Sequence, residues 1–379
     1  MLLTQSIKER ARELGFDRVG VTPARPSPRL DAYLDWIEAG MHGQMAYMAR
    51  PDRVARRRDL ELILPGVRSV VVVALDYFTL QPPPEIALDP SRGRISNYAW
   101  GRDYHAVMTP RLEELAAFVR DEAPGQVAHR AYVDTGPILE RDHAEQAGLG
   151  FTGKNTLRIA PHGGSYAFLG ELLLTVDLDY DEPFDEGVGC GACTRCLVAC
   201  PTQAFSRPYA LDARRCISYL SIELKGPIPR DLRPQMGNWV YGCDACQEVC
   251  PFQRFAQTTW EEAFYPQDYD DMAPPLLDLL ALDEDAFNHR FADSPIKRIG
   301  RDRLVRNACV AAGNWGEPDV FVPLAGLLRD SSPLVRGHAA WALGRIGENR
   351  AGATLSDALK AETDDYVREE LESALAAAR

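Results

Sequence analysis

Cys190-Gly-Ala-Cys193-Thr-Arg-Cys196-Leu-Val-Ala-Cys200-Pro201 is followed by Cys216 and then by Cys243-Asp-Ala-Cys246-Gln-Glu-Val-Cys250-Pro251. Eight of the nine cysteines lie in this span. A [4Fe–4S] cluster takes four thiolates, so eight suit two clusters. The C-x2-C-x2-C-x3-C-P run is the bacterial ferredoxin spacing, in which the fourth cysteine crosses to the other cluster. One predicted ligand set is therefore Cys190, Cys193, Cys196 and Cys250. The other is Cys200, Cys216, Cys243 and Cys246. The second half departs from a plain ferredoxin, because Val240 stands where the repeat asks for cysteine and Cys216 must substitute. Pro201 and Pro251 turn the chain away after each run. A zinc site or a disulfide set is the competing reading, but zinc sites use paired C-x2-C knuckles and not a three-cysteine run closed by C-x3-C-P. Two clusters in one small module mean electron transfer, and the electrons need an acceptor.

The remaining composition bounds the answer. A chain of 379 residues holds two or three domains, and 46% hydrophobic residues support real cores. No apolar run approaches the ~20 residues of a membrane span, so no membrane partner is expected. The N-terminus reads as an amphipathic helix without a signal or twin arginine, and a cytoplasmic location is expected. That location also suits reduced thiolates. Net charge is −13, so contact with nucleic acid requires a local basic patch.

Residues 1 to about 50 read as helical, with a second helix over Leu30–Glu38. Arg53 to Asp59 is densely charged. It is either a solvated face or an anion site, since arginine forks suit phosphate and carboxylate. Val70 to Leu75 is a β-branched run bounded by turn signals, hence a buried strand. Gln126 to Val133 reads as another strand, ending at Asp134 before a Gly-Pro turn, and Phe168 to Val176 as a further one. An Asp at that position is where open α/β sheets place ligands. Gly153-Lys-Asn-Thr156 and Gly163-Gly-Ser165 are glycine-rich turns, without the spacing of a phosphate-binding P-loop.

The tail repeats itself. Leu334–Gly347 echoes Leu304–Gly316, and Tyr366–Leu375 is a weaker third copy. Alanine and leucine at helical spacing with a period near 30 build stacked helix pairs, a short HEAT-type solenoid. Positions 290–350 hold ten Lys/Arg against six Asp/Glu. Lys297, Arg298, Arg301, Arg303 and Arg306 are either a solvated helix face or a phosphate-binding ridge.

Outside the cysteines, Asp134 is the best acid. Reductive opening of a C–O bond must deliver a proton to the departing oxygen, and a carboxyl raised by burial can do so. A capping Asp in a turn is the bland alternative. Asp103-Tyr-His105 resembles the start of a cobalamin-binding Asp-x-His-x-x-Gly, but Met108 occupies the glycine position.

These segments together resemble the epoxyqueuosine reductases. The resemblance rests on Tyr98-Ala-Trp-Gly-Arg-Asp-Tyr-His105, Val133-Asp-Thr-Gly-Pro-Ile-Leu-Glu-Arg141, Gly153-Lys-Asn-Thr156 and Gly164-Ser-Tyr-Ala-Phe-Leu-Gly-Glu171. It extends through the cysteine run, Cys216-Ile-Ser-Tyr-Leu-Ser-Ile-Glu223 and Gly242 to Pro251. Phe151, Arg158 and Ser221 are the departures. The resemblance implies an oxidoreductase that completes queuosine at the wobble position of tRNA, using cobalamin and two [4Fe–4S] clusters. It implies Asp134 as proton donor, and Asp103, Tyr104, His105 and Arg141 in the substrate pocket. It implies Arg57, Asp134, Lys154, Asn155, Ser165 and Ser218 in the cobalamin segments. It turns the basic ridge into a tRNA contact, the tRNA presenting its anticodon stem-loop with epoxyqueuosine. An external electron donor and a monomer are expected.

The expected fold is an α/β cobalamin-binding domain (1–184), a bacterial-ferredoxin-like two-cluster module (185–256), a linker packing on the core (257–296) and a HEAT-like repeat (297–379). Two other functions fit parts of the sequence. A cobalamin-dependent reductive dehalogenase-like reductase of a small molecule shares the cofactor plan. A non-catalytic electron carrier leaves Asp134 idle.

Overall fold

The computed structural model describes residues 2–184, 187–347 and 349–377. The boundary drawn at residue 185 lies outside them. The chain forms two compact units and visits each more than once. The first comprises Met1–Leu80, Arg102–Arg214 and Ala245–Tyr265; the second comprises Gln81–Gly101, Arg215–Asp244 and Pro266–Arg379.

The first unit is built on a four-stranded sheet. Its strands are β1 (Arg18–Pro23), β2 (Ser69–Asp76), β3 (His129–Tyr132) and β4 (Ala167–Leu174). Their order is β1-β2-β4-β3, and every neighbouring pair is antiparallel. All of β2 is buried, as its unbroken Val run requires. One face of β2 presents Val70, Val72 and Ala74, which cluster with Ala144 and Ala147 beside the helix Glu140–Gln146. The other side is covered by Tyr104–Glu122, which buries Met108, Leu112, Leu115 and Val119.

Two expectations change here. Residues 1 to about 50 are not all helical, because Arg18–Pro23 is a strand. The first helix ends at Glu13, and Gly15 takes a left-handed φ of +92° that breaks it. The segment Val19-Gly-Val-Thr22 then suits a strand, and a side chain at Gly20 would strike the Ala147 carbonyl. The sheet is also antiparallel, so the carboxyl-edge rule of parallel sheets does not place Asp134. Its turn does.

The second unit contains the solenoid. Helices Gly300–Trp315, Pro333–Ile346 and Asp365–Ala377 carry the three sequence copies. The first two end on left-handed glycines, Gly316 and Gly347. Its interior holds a polar knot. Buried Arg233 makes a two-pronged ion pair with Glu370 at 2.7 and 2.8 Å. Fully buried His338 accepts from the Ile228 backbone N–H through Nε2 at 3.2 Å, and its Nδ1 lies 2.8 Å from the Leu334 carbonyl. Burial, and then the Arg233 and Arg306 charges, hold His338 well below the usual histidine range.

The fold therefore requires neutral His338, and its stability depends on pH. The unfolded chain binds the extra proton first, so this contribution is complete above about pH 6.5. It is lost as pH falls below that, at up to about 1.4 kcal/mol per pH unit. Urea midpoints measured from pH 7.5 to 5 are expected to fall steeply in the native protein. In His338→Gln the slope should be shallower.

Candidate active site and cluster ligands

Asp134 follows β3 and sits at φ +56°, a left-handed conformation that few non-glycine residues adopt. Two bonds hold it. Its backbone N–H donates to Glu140 Oε1 at 2.9 Å, and the Tyr104 hydroxyl donates to Asp134 Oδ2 at 2.8 Å. Tyr104 is itself fixed by stacking on Phe168, with centroids 4.1 Å apart and planes 7° apart. Arg53 Nη1 donates to the Thr135 carbonyl at 3.2 Å, which brings the arginine-rich helix Pro51–Arg58 onto the same turn.

Asp134 is exposed, which corrects the expectation of a carboxyl raised by burial. The raised carboxyl is Glu140 instead. Burial, then the Asp134 charge, then the Glu171 charge push it well above the carboxylate range. The sequence pointed at Glu140 only as the acid six residues after Asp134.

The other pocket residues divide. Asp103 caps the helix Tyr104–Glu122, accepting from the His105 N–H at 3.0 Å, and the same oxygen lies 3.0 Å from His105 Nδ1. These bonds orient the His105 ring beside Tyr104, 4.2 Å between centroids. Arg141 Nη1 donates to the Thr156 carbonyl at 2.9 Å and so ties the Gly153–Thr156 turn to the Asp134 segment.

Of the residues assigned to cobalamin, Arg57 is buried, with its guanidinium 5.0 Å from the Tyr33 ring centroid. Burial pulls its pKa down, and its Nε has no hydrogen-bond partner. Lys154 turns toward the cysteines. Its ammonium donates to the Gly191 and Cys193 carbonyls at 2.6 and 2.9 Å, and its backbone N–H to Cys190 Sγ at 3.4 Å. Asn155 Nδ2 reaches the Cys246 carbonyl at 3.4 Å, and Ser165 Oγ donates to Gln247 Oε1 at 2.9 Å. Gln253 Oε1 accepts from the Ser165 N–H at 2.7 Å, which leaves its buried Nε2 without a partner.

All nine cysteines are free thiols, and a disulfide set is absent. Cys190, Cys193, Cys196 and Cys250 all belong to the first unit and sense one another's charge. Burial and then Cys190, Cys250 and Cys193 act on the Cys196 thiol, all raising it. Of the second set, Cys200 and Cys246 lie in the first unit, and Cys216 and Cys243 in the second. Cys200 Sγ accepts from the Ala204 N–H at 3.3 Å. Cys216 precedes the helix Ile217–Ile222, which carries Ser218. Ser221 of that helix accepts from the Gly242 N–H at 3.0 Å, anchoring the strand end that leads to Cys243. Cys309 is buried in the solenoid, as a packing residue.

The basic ridge separates into two kinds of residue. Lys297 and Arg298 are exposed. Arg306 is fully buried and donates to the Leu220, Leu224 and Gly226 carbonyls at 2.7, 2.7 and 2.8 Å. Its assignment as a phosphate contact is therefore wrong, because every donor direction is used inside the protein. Arg303 donates to the Ile299, Arg298 and Ile222 carbonyls, and Arg301 pairs with Asp330 at 2.6 Å.

A sheet domain that presents a positioned acid, a paired-cluster cysteine module and a helical-repeat tail define an iron–sulfur oxidoreductase. Residues 189–253 match the family model of the 4Fe-4S double cluster binding domain, and residues 300–376 that of HEAT repeats. Residues 57–135 match the model described as epoxyqueuosine reductase QueG, DUF1730. The epoxyqueuosine reductase of Pseudomonas aeruginosa is 45% identical over 351 residues, spanning 91% of this chain and 95% of that one. The chain belongs to the epoxyqueuosine reductase family. Two solved structures extend the similarity. One is an epoxyqueuosine reductase with an epoxyqueuosine-modified tRNA-Tyr stem loop, at 32% identity and TM-score 0.91, covering 100% of this chain and 99% of that one. The other is the Bacillus subtilis enzyme with its Asp134 catalytic loop swung out of the active site, at 32% identity and TM-score 0.88, covering 99% of each chain.

Proposed function

We propose that this chain reduces epoxyqueuosine to queuosine at the wobble position of tRNA, with Asp134 as proton donor. The observation that carries the assignment is the Asp134 turn, an exposed carboxyl locked by Tyr104 and Glu140. The tRNA stem loop in the solved relative supports the substrate class. An epoxide becomes an alkene and water by taking up two electrons and two protons. The electrons come from an external one-electron donor through the two clusters. Cobalamin, when bound, supplies a low-valent cobalt centre for the reduction.

The donor set suits that cofactor. Arg57 Nε and Gln253 Nε2 are buried donors without partners, and a corrinoid offers amide carbonyls and a phosphate as acceptors. Asn155, Ser165 and Ser218 add small polar groups around it. Lys154, bonded to the Cys190–Cys193 loop, steadies the first cluster's ligands instead. Tyr104 orients the acid, and Asp103 orients His105 against the substrate. Lys297 and Arg298 meet tRNA phosphates.

Anaerobic reconstitution with cobalamin and dithionite, followed by nucleoside analysis of an epoxyqueuosine-containing stem-loop, tests this. The product should be lighter by one oxygen atom. Unchanged epoxyqueuosine in the presence of both clusters and cofactor would refute it. The ligand sets carry their own prediction. Cys250→Ser is expected to reduce iron from about eight to about four per chain, and to abolish turnover.

A further inference from the structure

Two protons enter the product for every epoxide reduced, and Asp134 holds only one at a time. We propose that Glu140 is the proton store behind Asp134, a relay and positioning residue that recharges it within one turnover. The inference rests on Asp134 being the donor to the substrate. Glu140 is the first residue of its helix, and its Oε1 already accepts from the Asp134 backbone N–H at 2.9 Å. The Tyr104 hydroxyl occupies Asp134 Oδ2.

Behind Glu140 the interior is unusually rich in ionisable groups. Glu171 on β4 is fully buried. Its Oε1 bonds His143 Nδ1 at 3.0 Å, and its buried Oε2 has no hydrogen-bond partner. Burial works against charge on His143, but the Glu171 charge and hydrogen bond outweigh it and raise its pKa. The groups acting on Glu140 are Asp134 from the turn, Glu171 from β4, Arg141 from its own helix and Arg57 from Pro51–Arg58. Neighbouring buried carboxylates cannot all ionise, so one keeps its proton. Glu140 is that carboxyl, since burial and both acidic neighbours outweigh the arginines.

The balance is then complete. Asp134 protonates the epoxide oxygen as the first C–O bond opens, leaving a hydroxyl group and the Asp134 carboxylate. Glu140 passes its proton to that carboxylate. Asp134 gives this second proton to the hydroxyl, the second C–O bond breaks, and water leaves as the C=C bond forms. Two electrons from the reductant are consumed, and Glu140 refills from solvent.

Glu140→Gln separates this role from a purely structural one, because glutamine still accepts from the Asp134 N–H but carries no transferable proton. Single-turnover rates on an epoxyqueuosine stem-loop would be measured with dithionite-reduced holoenzyme from pH 6 to 9. The native rate should fall as pH rises through the Glu140 pKa. Glu140→Gln should be at least tenfold slower at pH 7, without that alkaline limb and with unchanged iron content and melting temperature. Glu171→Gln removes a neighbouring charge and should move the limb to lower pH. A native rate and profile in Glu140→Gln would overturn the proposal. Should that variant misfold, an unmoved limb in Glu171→Gln would overturn it equally. Full activity in Asp134→Asn, or a native enzyme that leaves epoxyqueuosine intact, would instead sink the donor assignment on which it rests.

Discussion

Asp134→Asn lowers the single-turnover rate by about 10²–10⁴-fold, the usual worth of a positioned general acid, while iron content and cobalamin binding stay native. Asparagine is the informative replacement. Asp134 lies at φ +56°, and asparagine adopts that conformation far more readily than alanine does. The backbone N–H keeps its bond to Glu140, and the asparagine Oδ1 still accepts from Tyr104. Only the transferable proton disappears. Asp134→Ala would also lose turnover, but part of that loss would come from the turn relaxing out of its left-handed geometry. A fully active Asp134→Asn enzyme would show that the proton arrives by another route.

Arg306→Leu produces the second large effect, and it falls on stability rather than on tRNA affinity. Three carbonyls at 2.7, 2.7 and 2.8 Å lose their donor at once. Leaving them buried and unpaired costs about 3–5 kcal/mol. These carbonyls lie in and just after the helix that begins at Cys216, and Asn307 holds two more, those of Ser221 and Val240, at 2.9 and 2.8 Å. Iron content should therefore fall along with the melting temperature. The double variant Lys297→Ala/Arg298→Ala should behave oppositely, with a native melting curve and iron content. Its log–log salt dependence of tRNA binding should be shallower by about one to two. Deleting residues 297–379 mixes both effects and cannot isolate tRNA binding. Normal folding of Arg306→Leu with weakened tRNA binding would reverse this division.

Much of the architecture was legible because it depends on local chemistry. Cysteine spacing defined the ligand sets, since thiolates must converge at short range. The Val70–Leu75 run and the repeat helices declared themselves through period and turn residues. Lys297 to Arg306 shows the limit of that approach. Five basic residues within ten positions look equivalent in one dimension, yet two are exposed and Arg306 is fully buried. Helical rotation sends residues three apart to nearby positions on one face, and whether that face meets solvent or backbone carbonyls depends on a partner segment eighty residues upstream.

The acid site divides in the same way. The sequence alone determined that an Asp at position 134 ends a strand before a Gly-Pro turn and that an acid follows at 140. Only the tertiary structure decided which of the two carboxyls is buried. Glu140 is pressed against Glu171 by the packing of its helix on the sheet, while the turn lifts Asp134 into the open. A carboxyl's affinity for its proton is set by the dielectric and the charges around it, and those are brought together by strands more than thirty residues apart in the chain.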